Sequence, residues 1–456
     1  MGKNKPHIAL FLTTGHCGAR TEQSAGEKQL QDRQDVKGIR HVDLTNVQLA
    51  SSETARGINR NIVLELIRAG QPLSRADLAR SSGLQRSTVS QIVEQLIREK
   101  WVREGAVATL ARGRHPTLLG LNEDLAVIAV DLHPRLATVA VIDLNGRLLS
   151  RSLVPLTSNP VASTRSITDC IERLRQAFSG NSIEGIGISL PGRIDPGTQR
   201  LVFAPNLHWS DFDLKGLIEK ETGLAVGMEN AATACLLAEL LFGRLNGISD
   251  AVLVTVSEGV GTGVFANGQV ITGHQGMAGE FGHFSMDPSG TRCACGRRGC
   301  WETFASCQAA LRSYQELQPK APAITFNELL NKAEEGDKAA ARALADQAHH
   351  IGRGLGPIIA GLSPEVIFIA GDITSAWHRF GPIIEKEAAE LTLVGTPPKI
   401  LPTHDGDIAR LRGAAALVFQ RRFVHETAVP SAQISRPSKT RRAPQRTGKG
   451  KERGSQ

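Results

Sequence analysis

Four potential metal donors crowd one stretch of this sequence. Glu280-Phe281-Gly282-His283 is followed by Cys293-Ala294-Cys295-Gly296-Arg297-Arg298-Gly299-Cys300-Trp301-Glu302. One imidazole and three thiolates match the donors of a closed tetrahedral zinc site. Gly296 and Gly299 permit the tight backbone that wraps several ligands around one ion. The alternative, unmetallated core cysteines, usually places them singly. His283, Cys293, Cys295 and Cys300 are therefore the expected ligands. The zinc is expected to be structural, because four protein donors leave no vacant position. Seven cysteines in 456 residues, three of them within eight positions, do not read as a disulfide framework.

A second set of chemically useful side chains lies near residue 90. Arg86, Ser87, Thr88, Ser90 and Gln91 sit at the leading end of a predicted helix whose other face is apolar: Val89, Ile92, Val93, Leu96 and Ile97 follow helical spacing. Before it, Ile62, Val63, Leu66 and Ile67 share one face of a helix that Gly70 stops. Ser74-Arg75-Ala76-Asp77 is a capping box that opens a short second helix ending at Gly83. Helix, short helix, glycine turn and helix with a polar leading end is the helix-turn-helix arrangement, which presents its last helix to base edges in the major groove. Trp101–Gly105 and Ala111–Leu118 read as the strands of a wing, with Arg112 and Arg114 at its tip, suited to a minor groove or phosphates. Three helices alone also fit a protein-binding module, but the charge and the hydroxyl-rich turn favour DNA.

Charge supports that assignment. Between Arg56 and His115 there are eleven Lys/Arg against five acids, and between Ser431 and Gln456 eight against one. With a formal net charge of +8 for the whole chain, the remainder is mildly acidic. A small basic reader attached to a neutral body has this distribution. Apolar residues at 41% and charged residues at 21% provide for a packed core. No apolar run approaches the about 18 residues of a membrane span, and Ile8–Leu12 is shorter than a signal-peptide core of about 7–15 residues. A cytoplasmic chain without a membrane partner is the expectation.

From Leu125 the texture changes to short apolar strands. Ala126–Val130, Thr138–Asp143 and Arg147–Ser150 form one strand–turn–strand–turn–strand unit, with Asn145-Gly146 as a hairpin signal. Ala251–Val256, Gly263–Ala266 and Gln269–Thr272 repeat it, with Asn267-Gly268 as the turn. Such a duplication, each copy followed by helices, suits an α/β fold of two lobes: the ribonuclease-H-like, actin-like sugar kinase architecture behind an α+β winged helix-turn-helix domain. The expected organisation is disorder over 1–50, the winged head over 55–120, the body over 124–425 with lobes of roughly 124–245 and 246–405 and a final helix to 425, and a disordered basic tail over 426–456.

The Glu-x-Gly-His and Cys-x-Cys-Gly-x-x-Gly-Cys-x-Glu motifs, at Glu280–His283 and Cys293–Glu302, resemble the signature of the ROK family (repressor, open reading frame, kinase), and the likeness runs over about residues 56–425. The head makes it similar to the repressor branch, that of the xylose repressors and N-acetylglucosamine regulators. The resemblance implies a sugar site: Gly192 and Arg193 on a first loop, Asn206 on a turn, then Asn230, Glu280, His283 and Glu302. In this reading His283 meets sugar with one nitrogen and zinc with the other. ROK kinases follow the Asn with a proton-accepting Asp, which here is Ala231. Their Asp-x-Gly-Gly-Thr phosphate loop here reads Asp131-Leu132-His133-Pro134-Arg135, without glycine, and the second loop, Ser257–Gly263, carries Glu258 where an acid would repel phosphate.

The resemblance therefore implies a sugar-responsive DNA-binding regulator, a repressor of carbohydrate genes, with no catalytic residues and no enzyme activity. Its expected partners are a double-stranded operator and a sugar or sugar-phosphate effector, and its expected state is a homodimer or homotetramer. The alternative is an active ATP-dependent sugar kinase with an added DNA-binding domain.

Overall fold

The computed structural model describes residues 52–107, 116–243, 248–393, 395–403 and 406–424. Segments 1–50 and 426–456 and the wing residues Arg112 and Arg114 lie outside the described residues.

The head begins with helices Ser52–Gly70, Arg75–Ser82 and Arg86–Arg98. The capping box forms as the spacing predicts: Asp77 N–H donates to Ser74 Oγ (3.2 Å) and Ser74 N–H donates to Asp77 Oδ2 (3.0 Å). Gly83 ends that helix in the left-handed region. The third helix buries Val89, Ile92, Val93 and Leu96. Strands Val102–Val107 and Thr117–Leu121 pair antiparallel, and Leu73–Ser74 adds a third strand beside Thr117–Leu121. The strands of the wing thus start one residue later and close three residues further on than the sequence predicts.

Two five-stranded sheets build the body. In the first lobe, Leu125–Leu132, Leu136–Asp143 and Leu148–Pro155 form an antiparallel meander. Ser182–Leu190 then pairs parallel with Leu125–Leu132, and Val226–Asn230 pairs parallel outside it. The second lobe repeats the order with Ala251–Val256, Val260–Ala266 and Gln269–Ile271, then Val366–Ala370 and Lys399–Pro402 in parallel. Central strands such as Leu125–Leu132 and Ala251–Val256 are buried along their whole length, as strands covered on both faces must be. The α/β two-lobed fold with a winged head is therefore observed.

Helix Ala409–Val424 closes the chain's described part. It leaves the second lobe after Lys399–Pro402 and lies against the first. One apolar core takes in Val63, Ile67, Val89 and Leu96 of the head, Val127, Ala129 and Ile142 of the first sheet, and Leu411, Ala415 and Phe419 of this helix. Trp101, 2% exposed, meets Phe419, also 2% exposed, edge-on with centroids 6.2 Å apart. Gln71 stitches the junction: Nε2 donates to Asn145 Oδ1 (2.6 Å) and Oε1 accepts from Leu121 N–H (2.7 Å). The chain passes from head to body at 122–124, yet the apolar interior runs through.

Phe419→Ala removes the ring that both parts share. It is expected to cost about 3–5 kcal/mol, read as a fall in the urea midpoint at unchanged slope, with head and body unfolding in the same transition.

Candidate functional site

A cleft of about 770 Å³ lies between the lobes. Gly192, Arg193, Asn206, Asn230, Glu280, His283 and Glu302, expected from the motifs, all line it. Gly192 and Arg193 follow the end of strand Ser182–Leu190, and Asn206 sits on the single turn Pro205–Leu207. Asn230 has a second duty, capping helix Ala231–Phe242 by accepting from Thr233 N–H (2.9 Å). Its Nδ2 donates to Thr233 Oγ1 at 3.1 Å. Burial raises the pKa of the neighbouring Glu229 carboxyl, which accepts from Asn230 N–H (2.8 Å). The first residue of that helix, Ala231, turns a methyl group to the cleft wall. A methyl group can neither take nor give a proton.

The second lobe supplies the acids. Glu280 and His283 occupy one turn, and Glu302 opens the short helix Glu302–Ala305. Glu302 Oε2 accepts from Val260 N–H (3.1 Å) while Oε1 lies 3.4 Å from Cys293 Sγ. The imidazole of His283 faces two ways: Nδ1 lies 3.6 Å from Cys293 Sγ and Nε2 3.8 Å from Glu280 Oε2. One ring nitrogen is thus on the thiol side and the other toward the carboxylates.

The donor atoms of His283, Cys293, Cys295 and Cys300 all lie within 4.8 Å of one another. Cys295 Sγ and Cys300 Sγ are 3.6 Å apart. Two thiolates bound to one ion at about 2.3 Å in tetrahedral geometry stand about 3.8 Å apart, so the spacing and chemistry of the set fit a single ion such as zinc. The loop that brings them together depends on Gly299, where φ is +61° and a Cβ would come within 1.5 Å of Asp287 O. Burial pushes the Cys293 thiol well above its usual range, so loading a metal there requires loss of a proton.

The segment 131–136 makes a tight turn. His133 N–H donates to Leu136 O (2.8 Å), with Pro134 in the second position, where its fixed φ suits a turn. His133 Nε2 lies 2.8 Å from Asp131 Oδ2 and its Nδ1 3.8 Å from Glu258 Oε1. Burial works against a charged imidazole here, but the hydrogen bond to Asp131 and the nearby Glu258 carboxylate outweigh it and lift the pKa to about 9. For Glu258 burial likewise opposes charge, and the neighbouring His133 imidazole brings it down to about 2. Arg410 also lines the cleft, with Nε 2.8 Å from Asp131 Oδ1. Motif reading did not single out Arg410, since no local spacing ties it to residues some 280 positions earlier; Phe203 and Met277, which also line the cleft, were missed although they stand three residues before Asn206 and Glu280, because apolar side chains there carry no motif signal.

In the head, Arg86, Ser87 and Gln91 are exposed, and Thr88 and Ser90 half-buried, along the first turns of helix Arg86–Arg98. The helix has no side-chain cap at Gln85, so its first N–H groups remain turned toward the leading end.

The ROK family profile matches residues 127–421. The chain belongs to the ROK family. An IclR helix-turn-helix domain matches residues 63–105. The xylose repressor of Bacillus subtilis (strain 168) is 30% identical, over 82% of this chain and 97% of its own. The DNA-binding transcriptional dual regulator NagC of Escherichia coli (strain K12) is 28% identical, over 74% of this chain and 86% of its own. Among solved structures, a ROK family transcriptional regulator homologous to the Escherichia coli MLC protein superimposes with a TM-score of 0.69 at 28% identity, covering 81% of this chain and 97% of that one. A ROK glucokinase from Streptomyces griseus, solved with glucose and AMPPNP, does so with a TM-score of 0.59 at 28% identity, covering 65% of this chain and 99% of that one.

Cys295→Ala is expected to lower the metal content of the purified protein and its melting temperature together, because ligand loss removes binding energy coupled to folding. Elemental analysis and a thermal melt check this; wild-type protein that is folded and metal-free would overturn it.

Proposed function

We propose that this ROK protein is a sugar-responsive DNA-binding repressor of carbohydrate genes whose kinase-like body senses a sugar without phosphorylating it. The observation that carries the reading is Ala231 on the wall of a cleft otherwise lined by the polar side chains that the family resemblance assigns to sugar, in a chain that also carries a helix-turn-helix. Glu280, Glu302 and Asn230 would hold vicinal hydroxyls, the carboxylates accepting and the amide donating. His283 would donate to the sugar from Nε2, its ring held by zinc on Nδ1. The ion, bound by His283, Cys293, Cys295 and Cys300, would serve to fix that ring and the Cys293–Glu302 loop. The names of the repressor relatives support the same reading.

An active kinase needs a base near the sugar hydroxyl and a cradle for phosphate. Removal of a general base costs about 10²–10⁴ in rate. At the phosphate end the chain has Pro134, which lacks an N–H, and the negative Glu258. A coupled assay with ATP and a panel of free sugars is expected to show no turnover, and Ala231→Asp alone is expected not to restore it. Turnover at about 1–100 s⁻¹, ordinary for kinases, would replace the repressor reading with the kinase one. The same panel in a thermal-shift screen identifies the effector, since a ligand at 100 times its Kd adds about 2.7 kcal/mol.

On DNA, the exposed Arg86, Ser87 and Gln91 would reach bases or adjacent phosphates, with Thr88 and Ser90 beside them and Arg112 and Arg114 on the wing. One head covers few base pairs, so a homodimer or homotetramer would place two heads on a palindromic operator. Arg86→Ala is expected to weaken operator binding by about 1–3 kcal/mol if it grips a guanine, and to leave the sugar-induced thermal shift unchanged. Fluorescence anisotropy with the operator fragment measures the first; undiminished binding counts against this placement of the recognition helix.

A further inference from the structure

The two lobes present equivalent turns to each other. In the first lobe, Leu125–Leu132 turns through His133 into Leu136–Asp143; in the second, Ala251–Val256 turns through Glu258 into Val260–Ala266. These turns stand where ROK kinases, by resemblance, hold the phosphates of ATP. Here they are joined by charge. His133 reaches from Asp131 on its own lobe to Glu258 on the other, at 2.8 and 3.8 Å. Arg410 completes the group: Nε lies 2.8 Å from Asp131 Oδ1, and Nη2 donates to Leu132 O at 2.8 Å. Its Nη1 lies 3.4 Å from His133 Nδ1, a like charge that the two carboxylates balance. The side chains of Asp131 and Arg410 are 4% and 13% exposed, so water screens this pair little.

We propose that Asp131, His133, Glu258 and Arg410 form an ionic clasp that replaces the nucleotide between the lobes, and that helix Ala409–Val424 carries the state of this clasp to the DNA-reading head. The proposal rests on the sensor reading above for its biological use, but its physical content does not.

The helix is built to transmit a displacement. Arg410 is its second residue. Where it crosses the first lobe there is no slack: a Cβ on Gly187 would come within 1.7 Å of Ala414 O, and one on Gly413 within 2.1 Å of Ala234 O. A helix seated that closely moves as a body, because packed interiors resist continuous deformation. Nine residues on, about 14 Å at 1.5 Å per residue, Phe419 bears edge-on on Trp101. Trp101 N–H donates to Leu96 O at 2.8 Å, which ties it to the end of the recognition helix.

At the other end, Glu258 and Arg410 of the clasp themselves line the cleft, and Glu302 ties a cleft carboxylate to the clasp's turn. Glu302 Oε2 holds Val260 N–H at 3.1 Å, and Val260 ends the turn that carries Glu258. A sugar that draws Glu302 into a hydroxyl contact would compete for that bond and release the turn. Spatial continuity alone does not establish coupling; the clasp supplies the element with two arrangements, joined and parted, that both sites can bias.

Glu258→Gln in the full chain tests this without any sugar. Hydrogen–deuterium exchange is expected to rise by about threefold or more, as loss of local stability dictates, in helix Ala409–Val424 and at Trp101–Val107, while helices Cys307–Leu317 and Phe326–Glu334 stay as in wild type. Binding to a DNA fragment that the wild type selects from a random-sequence pool is expected to change more than threefold. A change confined to the Ser257–Val260 turn overturns the proposal, as does a changed helix with unaltered Trp101–Val107. Should Glu258→Gln fail to fold, His133→Gln, which cuts the same link from the other lobe, gives the same readout. If wild type selects no DNA, the repressor reading fails while the exchange experiment still decides the clasp.

Discussion

The head, the first lobe and one wall of the cleft meet at the seat of one helix. Ala409–Val424 crosses from the second lobe to the first and fits against backbone at Gly187 and through its own Gly413, with no room for a side chain at either. Its Arg410 end reaches the cleft and its Phe419 side belongs to the core of the head. If that packing loosened, the lobes would lose their shared strut, the cleft one of its walls and the head the ring against which Trp101 rests. Close packing of backbone on backbone admits few alternatives, so it converts small rearrangements at one end into discrete ones at the other.

The cleft uses its polar groups more than once. Asn230 caps a helix as well as facing the cavity, Glu302 holds Val260 N–H while touching Cys293, and His283 stands between thiols and a carboxylate. Double duty of this kind keeps the side chains oriented before a ligand arrives, which lowers the entropy lost on binding. It also makes them poor candidates for independent variation, since each substitution changes the frame along with the contact.

How far the amino-acid sequence foretold this depends on the range of the interaction. The Ser74–Asp77 capping box, the apolar face of Arg86–Arg98 and the paired hairpin signals Asn145-Gly146 and Asn267-Gly268 are local, and each stands where the spacing puts it. The His/Cys cluster was legible because all four ligands fall within 18 positions, and the cleft residues because a long motif and a family resemblance tied them together. Strand ends were missed by a few residues, as Leu148–Pro155 shows against an expectation of 147–150, because sheet pairing extends a strand beyond its apolar centre. The Arg410–Asp131 pair and the Trp101–Phe419 contact join residues roughly 280 and 320 positions apart. Nothing in composition or periodicity registers such a meeting, and an arginine near the start of a helix looks the same whether it faces water or a carboxylate. The expected boundary near 120–124 has a similar limit: a turn at Asn122–Asp124 can be read from polarity, whereas an apolar interior that passes beneath it cannot.

That shared interior bears on how such a chain can be recombined. A reader grafted from a relative would have to bring the partner for Phe419 with it, or the graft would expose aromatic and aliphatic surface on both pieces, a recognised aggregation hazard. Swapping must therefore extend to the C-terminal helix, even though the sequence separation suggests a cut near residue 122. In lineage terms, head and final helix form one inheritable unit split across the two ends of the described chain, and substitutions at Trp101 and Phe419 should track each other whenever the body is borrowed for a new operator.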